Sequence, residues 1–128
     1  MKALCFFGMI QKANLKEKFS LFSDQWHPRI IGQVNDTHIK LARLKGEFDW
    51  HHHDSEDEMF YVVGGGNLTI ELEDGMVELK SGEMAVIPRG VEHRPVARDE
   101  ALVMLVEPVS TVNTGNIKSE KTVDAQWI

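Results

Sequence analysis

LTIELEDGMVEL, residues 68–79, alternates apolar Leu68, Ile70 and Leu72 with polar Thr69, Glu71 and Glu73, turns at Asp74-Gly75 and returns through Val77 and Leu79. Successive side chains of a strand point to opposite faces, and Asp-Gly adopts the backbone of a tight turn readily. The stretch therefore predicts an antiparallel hairpin with one wet face. The same grammar repeats on both sides. RIIGQV (29–34) and THIKLARL (37–44) flank Asn35-Asp36 and read as a second hairpin. MAVIP (84–88), between Ser81-Gly82 and Pro88-Arg89-Gly90, and ALVMLVE (101–107), preceded by Asp99-Glu100, add two strands. Turn signals recur without a long helical period between them, so the fold class is all-β, an antiparallel sandwich or small barrel.

The ends differ from this pattern. NLKEKFSLF (14–22) sets Leu15, Phe19 and Phe22 at helical spacing and predicts a short N-terminal helix. The tail from Pro108 is polar and turn-rich until Val123, Trp127 and Ile128, whose spacing predicts a helical turn laid against the barrel. A large apolar end left in water would invite aggregation, so the tail reads as a docked arm. A chain of 128 residues, 42% of them hydrophobic, suits one core. The expected organisation is an extension and helix over 1–25, a barrel over 26–107 and an arm over 108–128.

Fourteen Lys and Arg against twenty Asp and Glu give a formal charge of -6. That balance argues against a sequence-independent hold on nucleic acid or on an anionic membrane, and leaves a small molecule or another protein as partner. Cys5 is the sole cysteine, so no intramolecular disulfide can form, and a cytoplasmic location is expected. The run Ala3 to Ile10 is too short to span a bilayer and lacks a secretory cleavage signature. It is either a weak targeting segment or an extension upstream of Met9.

WHHHDSEDEMFYVVGGG (50–66) carries the chemistry. On a strand His51 and His53 share a face and His52 points away. Asp54 to Asp57 form a polar turn, after which a returning strand can place Glu58 beside the histidine pair. Phe60 and Val62 share the parity of Glu58 and should line the interior, with Tyr61 opposite. His93 follows the turn at Pro88-Arg89-Gly90 on a further strand. Three imidazoles and a carboxylate would then converge, a donor set suited to a divalent transition metal. Each part has a plainer explanation. A lone buried histidine is usually hydrogen-bonded in the core, and three adjacent histidines also suit an exposed strand end. Trp50 and the apolar run after Glu58 favour burial, and burying so many titratable groups without a shared partner is costly. Arg89 and Arg94 flank the expected pocket mouth, as ligands for a substrate carboxylate or phosphate or as surface charges.

At these residues the chain resembles the cupins. Gly46, His51, His53, Glu58 and Gly65 match the first cupin motif, with four residues instead of five between Gly46 and His51. Gly82, Pro88, Gly90 and His93 match the second, whose closing asparagine is Ala97 here, a position that is not a metal ligand in the family. From Ile10 onward the chain is similar to small single-domain bacterial cupins related to mannose-6-phosphate isomerase. The resemblance implies a double-stranded β-helix, or jelly-roll barrel. It also implies one divalent ion (iron, manganese, nickel, copper or zinc) on His51, His53, Glu58 and His93, and commonly a homodimer. Two function classes follow: a metal-dependent dioxygenase, isomerase or lyase acting on a small oxygenated molecule, and a non-catalytic module binding a small ligand or metal. The four donors favour the enzyme. No separate nucleophile is evident, so any chemistry would centre on the metal.

Overall fold

The computed structural model describes residues 10–128. Cys5, Met9 and most of the apolar run from Ala3 lie outside the described residues. The chain forms a jelly roll whose elements follow the turn signals. The short helix α1 (Leu15–Phe19) is capped by Asn14, whose side chain accepts from the Glu17 amide at 3.0 Å. The strands are β1 (Arg29–Val34), β2 (Thr37–Glu47), β3 (Glu58–Gly65), β4 (Leu68–Leu72), β5 (Gly75–Leu79), β6 (Met84–Ile87), β7 (His93–Pro108) and β8 (Gln126–Trp127). The sheet runs β5-β4-β7-β2-β1-β8, and β3 joins β6 to β7.

Two expected features change. Asp99-Glu100 makes no chain reversal, and His93 to Pro108 is one sixteen-residue strand. Its first half pairs with β4 and its second with β3, while β2 runs antiparallel beside it from Thr37↔Pro108 to Glu47↔Val96. Pairing on both sides outweighs the local turn preference of Asp99-Glu100, which survives as a register shift between Leu44 and Gly46 on β2. The tail ends in a strand, not a helical turn. Gln126 and Trp127 pair in parallel with Arg29 and Ile30, because the free edge of β1 offers backbone partners that an isolated turn lacks. Trp127 remains 45% exposed, edge-on to His38.

The main core fills the barrel with Ala42, Leu44, Phe60, Val62, Leu68, Ile70, Val103 and Leu105. Burying each of the larger aliphatic side chains contributes about 1.5–3 kcal/mol. A second cluster of Phe19, Phe22 and Leu41, with Ile128 against it, covers the opposite face of β2. Both faces of β2 are thus dry at its centre, where Lys40, Leu41 and Ala42 are consecutively buried. Gly65 turns with φ 74°, and a Cβ there would meet the Glu100 carbonyl oxygen at 2.5 Å, so the end of β3 requires glycine. No helix among the described residues is long and apolar enough to cross a membrane.

Candidate metal centre

His51, His53, Glu58 and His93 come together inside the barrel, one ligand atom from each lying within 4.8 Å of all the others. All four are buried. His51 and His93 are joined by a two-way backbone bridge, His51 N to His93 O at 3.0 Å and His93 N to His51 O at 2.9 Å. His53 stands in the loop that follows, and Glu58 opens β3. Only His51 has ladder pairing, so the triplet is not a regular strand, yet alternation holds: His51 and His53 turn inward. His52 points out, its ring bound to Glu92 at 2.9 Å and Asp54 at 2.8 Å. The following strand keeps the expected parity, with Glu58, Phe60 and Val62 buried and Tyr61 half-buried on the other face.

The imidazoles are pre-oriented. Nδ1 of His51 lies 2.8 Å from the Asp49 carbonyl and Nδ1 of His93 lies 2.9 Å from the Val91 carbonyl. A carbonyl only accepts, so both Nδ1 atoms carry hydrogen and both Nε2 atoms present lone pairs to the cluster. Glu58 Oε1 lies 3.3 Å from His53 Nε2 and 3.6 Å from His93 Nε2. These are ion-pair distances without hydrogen-bond alignment: His53 Nε2, His93 Nε2 and Glu58 Oε1 are all buried and lack a hydrogen-bond partner. Leaving a buried polar atom unpaired costs about 1–3 kcal/mol. A divalent cation would satisfy all three together, so the residues fit a transition metal.

Burial, with the neighbouring His93, lowers the His51 pKa to about 4, against the pull of the Asp49 carbonyl. Burial alone would push the Glu58 carboxyl up. The adjacent Glu107 carboxyl, then the neighbouring imidazoles of His53 and His93, outweigh it and hold Glu58 well below the usual carboxylate range. Glu107 moves the other way, raised first by burial and then by the charge of Glu58. Behind it Lys40 Nζ donates to Glu107 Oε2 at 2.7 Å in a buried ion pair. Sequence reading missed Lys40 and Glu107. The signal was present, since Glu107 continues the buried series Ala101, Val103, Leu105 and so sits at a core position.

Around the donors one expectation, a buried Trp50, is corrected, and the choice left open for Arg89 and Arg94 falls to surface charge pairs. Trp50 is 38% exposed, under the Arg94 guanidinium at 5.3 Å, and the aromatic that enters the interior is Phe48. Arg94 is taken up by Glu71 at 2.7 Å and Glu47 at 3.4 Å, and Arg89 by Asp57. Neither reaches the donors, because each finds a carboxylate on its own side of the sheet. The arm closes the site from outside: Asn116 accepts from the His52 amide at 2.9 Å, and Gly115, at φ 59°, packs so tightly on the His52 carbonyl that a Cβ would collide with it.

The model of the cupin domain family matches residues 40–107. The chain belongs to the cupins. A crystal structure of a cupin-2 domain protein from Shewanella frigidimarina is 47% identical with a TM-score of 0.73, the match covering 75% of this chain and 93% of that one. The uncharacterized protein YdbB of Bacillus subtilis is 41% identical over 81 residues, 62% of this cupin and 65% of YdbB. Homogentisate 1,2-dioxygenase of Nitrobacter hamburgensis is 44% identical over 57 residues, 44% of this chain and only 12% of the enzyme. This cupin therefore spans less than two thirds of the length of either curated relative.

Proposed function

We propose that this cupin is a metal-dependent enzyme holding one divalent ion on His51, His53, Glu58 and His93 and acting as a dioxygenase on a small oxygenated molecule. The observation that carries this reading is the convergence of four buried donors, three of whose ligand atoms have no hydrogen-bond partner, at one side of a cavity lined by Trp26, Phe48 and Phe60. When bound, such an ion supplies Lewis-acid polarisation of an oxygen donor and, where it is redox-active, dioxygen chemistry. The chain's own residues orient the imidazoles through Asp49 and Val91 and exclude water with Phe48 and Phe60. They also keep Glu58 ionised for binding. The partial likeness to a homogentisate 1,2-dioxygenase supports the dioxygenase choice over an isomerase or lyase.

The test is metal analysis of the purified protein, then oxygen uptake with iron(II) restored, over a panel of small diols, enediols and phenols. About one divalent ion per chain and uptake with part of the panel are expected. Retained metal with no oxygen uptake on any compound would return the barrel to a binding role. We further propose a cytoplasmic homodimer. Leu21 and Trp127, exposed by 63% and 45% beside the edge strand β8, support pairing through this end. Sedimentation at micromolar concentration should show the dimer, and a monomer would refute it.

A further inference from the structure

We propose that the metal ion reaches its four donors through a polar cleft between the acidic turn 54–57 and the arm at 110–116, with Asp54 and Glu56 drawing it in past His53. The inference rests on the metal-centred reading above. The cleft, about 220 Å³, is lined by His53, Asp54, Ser55, Glu56, Ser110 and Asn116. Two other spaces border the donors among the described residues. The cavity beside His51 and Glu58 has room for about 30 Å³, a water or two, between Trp26, Phe48, Phe60 and Leu105. A hydrated divalent ion would have to shed nearly its whole shell against apolar walls to cross it. A recess of about 260 Å³ reaches Glu58 from the outer face of the sheet, but Met59, Val86 and Val106 wall it and the Arg89 guanidinium offsets the charge of Asp57 there. Of the three, the cleft beside His53 combines polar walls, room for a hydrated ion and carboxylates without a lining lysine or arginine.

Charge and hydrogen bonding both favour this side. Asp54 uses Oδ1 on the His52 ring at 2.8 Å, and Glu56 uses Oε2 to accept from Ser110 Oγ at 2.7 Å, so each carboxylate keeps one oxygen for an arriving cation. Around the mouth Asp54, Glu56, Asp57 and Glu92 stand against two basic groups, His52 and Arg89. Such an excess concentrates cations and raises their rate of arrival. His53 forms the inner wall, and it is the one donor imidazole without a hydrogen bond. His51 and His93 are each held through Nδ1 by a backbone carbonyl, whereas neither nitrogen of His53 has a partner, although its side chain is only 2% exposed. Its Nε2 faces Glu58 at 3.3 Å, so the other edge of the ring borders the cleft. A buried ring that stands between the cleft and the remaining donors, and that no hydrogen bond locks, is placed to take an ion from one side and pass it to the other.

The test strips the full chain with chelator, mixes it rapidly with cobalt(II) and follows loading by the visible absorption of the bound ion; release is followed into excess chelator. Asp54→Asn with Glu56→Gln should slow loading about fivefold at low ionic strength, and salt near 1 M should remove most of the difference, because it screens charges beyond about 3 Å. Glu78→Gln with Asp99→Asn makes the same change in net charge at exposed carboxyls of β5 and β7 and should load at the parent rate. Val112→Trp, at an exposed position lining the cleft, should slow loading and release by the same factor and leave the cobalt content at equilibrium unchanged. Unchanged loading in Asp54→Asn with Glu56→Gln or in Val112→Trp, or equal slowing in Glu78→Gln with Asp99→Asn, would overturn the entry route while leaving the metal reading intact. A parent that holds no cobalt at equilibrium would overturn both.

Discussion

The side chains around the donors divide by what each could lose. His52 lies between two ligands in sequence but turns to Glu92 and Asp54. We expect His52→Ala to retain bound metal in elemental analysis, and His51→Ala or His93→Ala to lose it. The hydrogen bond with Glu92, then that with Asp54, raises the His52 pKa above 6.5. Its contribution to stability is therefore present below the ordinary histidine pKa and fades as the pH rises through the raised value. The melting temperature lost in His52→Ala should be larger at pH 6 than at pH 9. Lys40 and Glu107 behave differently because both are dry. Removing one leaves a buried partner uncompensated, so Glu107→Leu or Lys40→Met alone should cost about 3–5 kcal/mol in denaturant unfolding. The pair of substitutions together should cost far less than the sum. Additive costs would show that the two do not depend on each other. Among the four donors, His51, His53 and Glu58 were legible because they fall in one short stretch, and His93 because the Pro88-Arg89-Gly90 turn before it completes the second cupin motif. The Lys40–Glu107 pair was not, because its partners stand 67 positions apart and only the register of β2 on β7 brings them together.

Among the elements, the hairpins were the most legible, since each turn carries its own chemistry. Val34↔Thr37 closes β1 onto β2 across Asn35-Asp36, and Asn35 stands at φ 52°. Asparagine tolerates that backbone and a β-branched residue does not, so Asn35→Val should lower stability by about 1–2 kcal/mol, read as a shift of the unfolding midpoint at unchanged slope. Asn35→Gly should be neutral or stabilising; destabilisation by glycine would mean the side chain matters more than the backbone angle. Where sequence reading failed, a long-range backbone partner overrode a local preference. Asp99-Glu100 reads as a turn until β7 is flanked by β2 and by β3 and β4, and the tail reads as helical until the edge of β1 accepts it. The helix succeeded for the opposite reason, because Asn14 caps it locally and Phe19 has the second core to enter.

For the whole molecule, metal, folding and acidity are linked through the imidazoles. An ion that binds only the folded chain stabilises it by mass action, so the loaded protein should melt above the chelated one near neutrality. Imidazole binds metal only when neutral, which makes protons competitors for three of the four donors. In the chelated protein burial already sets the trend, because His51 is held neutral down to about 4, against an ordinary value of 6.5. Between those values the unfolded chain takes up a proton that the folded chain refuses, so stability falls as the pH drops through that window. Melting curves with and without chelator, from pH 8 to pH 4, should show the chelated form losing stability below about pH 6.5. The gap between the two forms should narrow in acid and close near pH 4, where His51 itself becomes protonated. His51→Asn should flatten the acid limb of the chelated profile and remove the gap at neutral pH. A gap that persists at pH 4, or that survives in His51→Asn, would mean that the stabilising ion sits somewhere other than on these histidines.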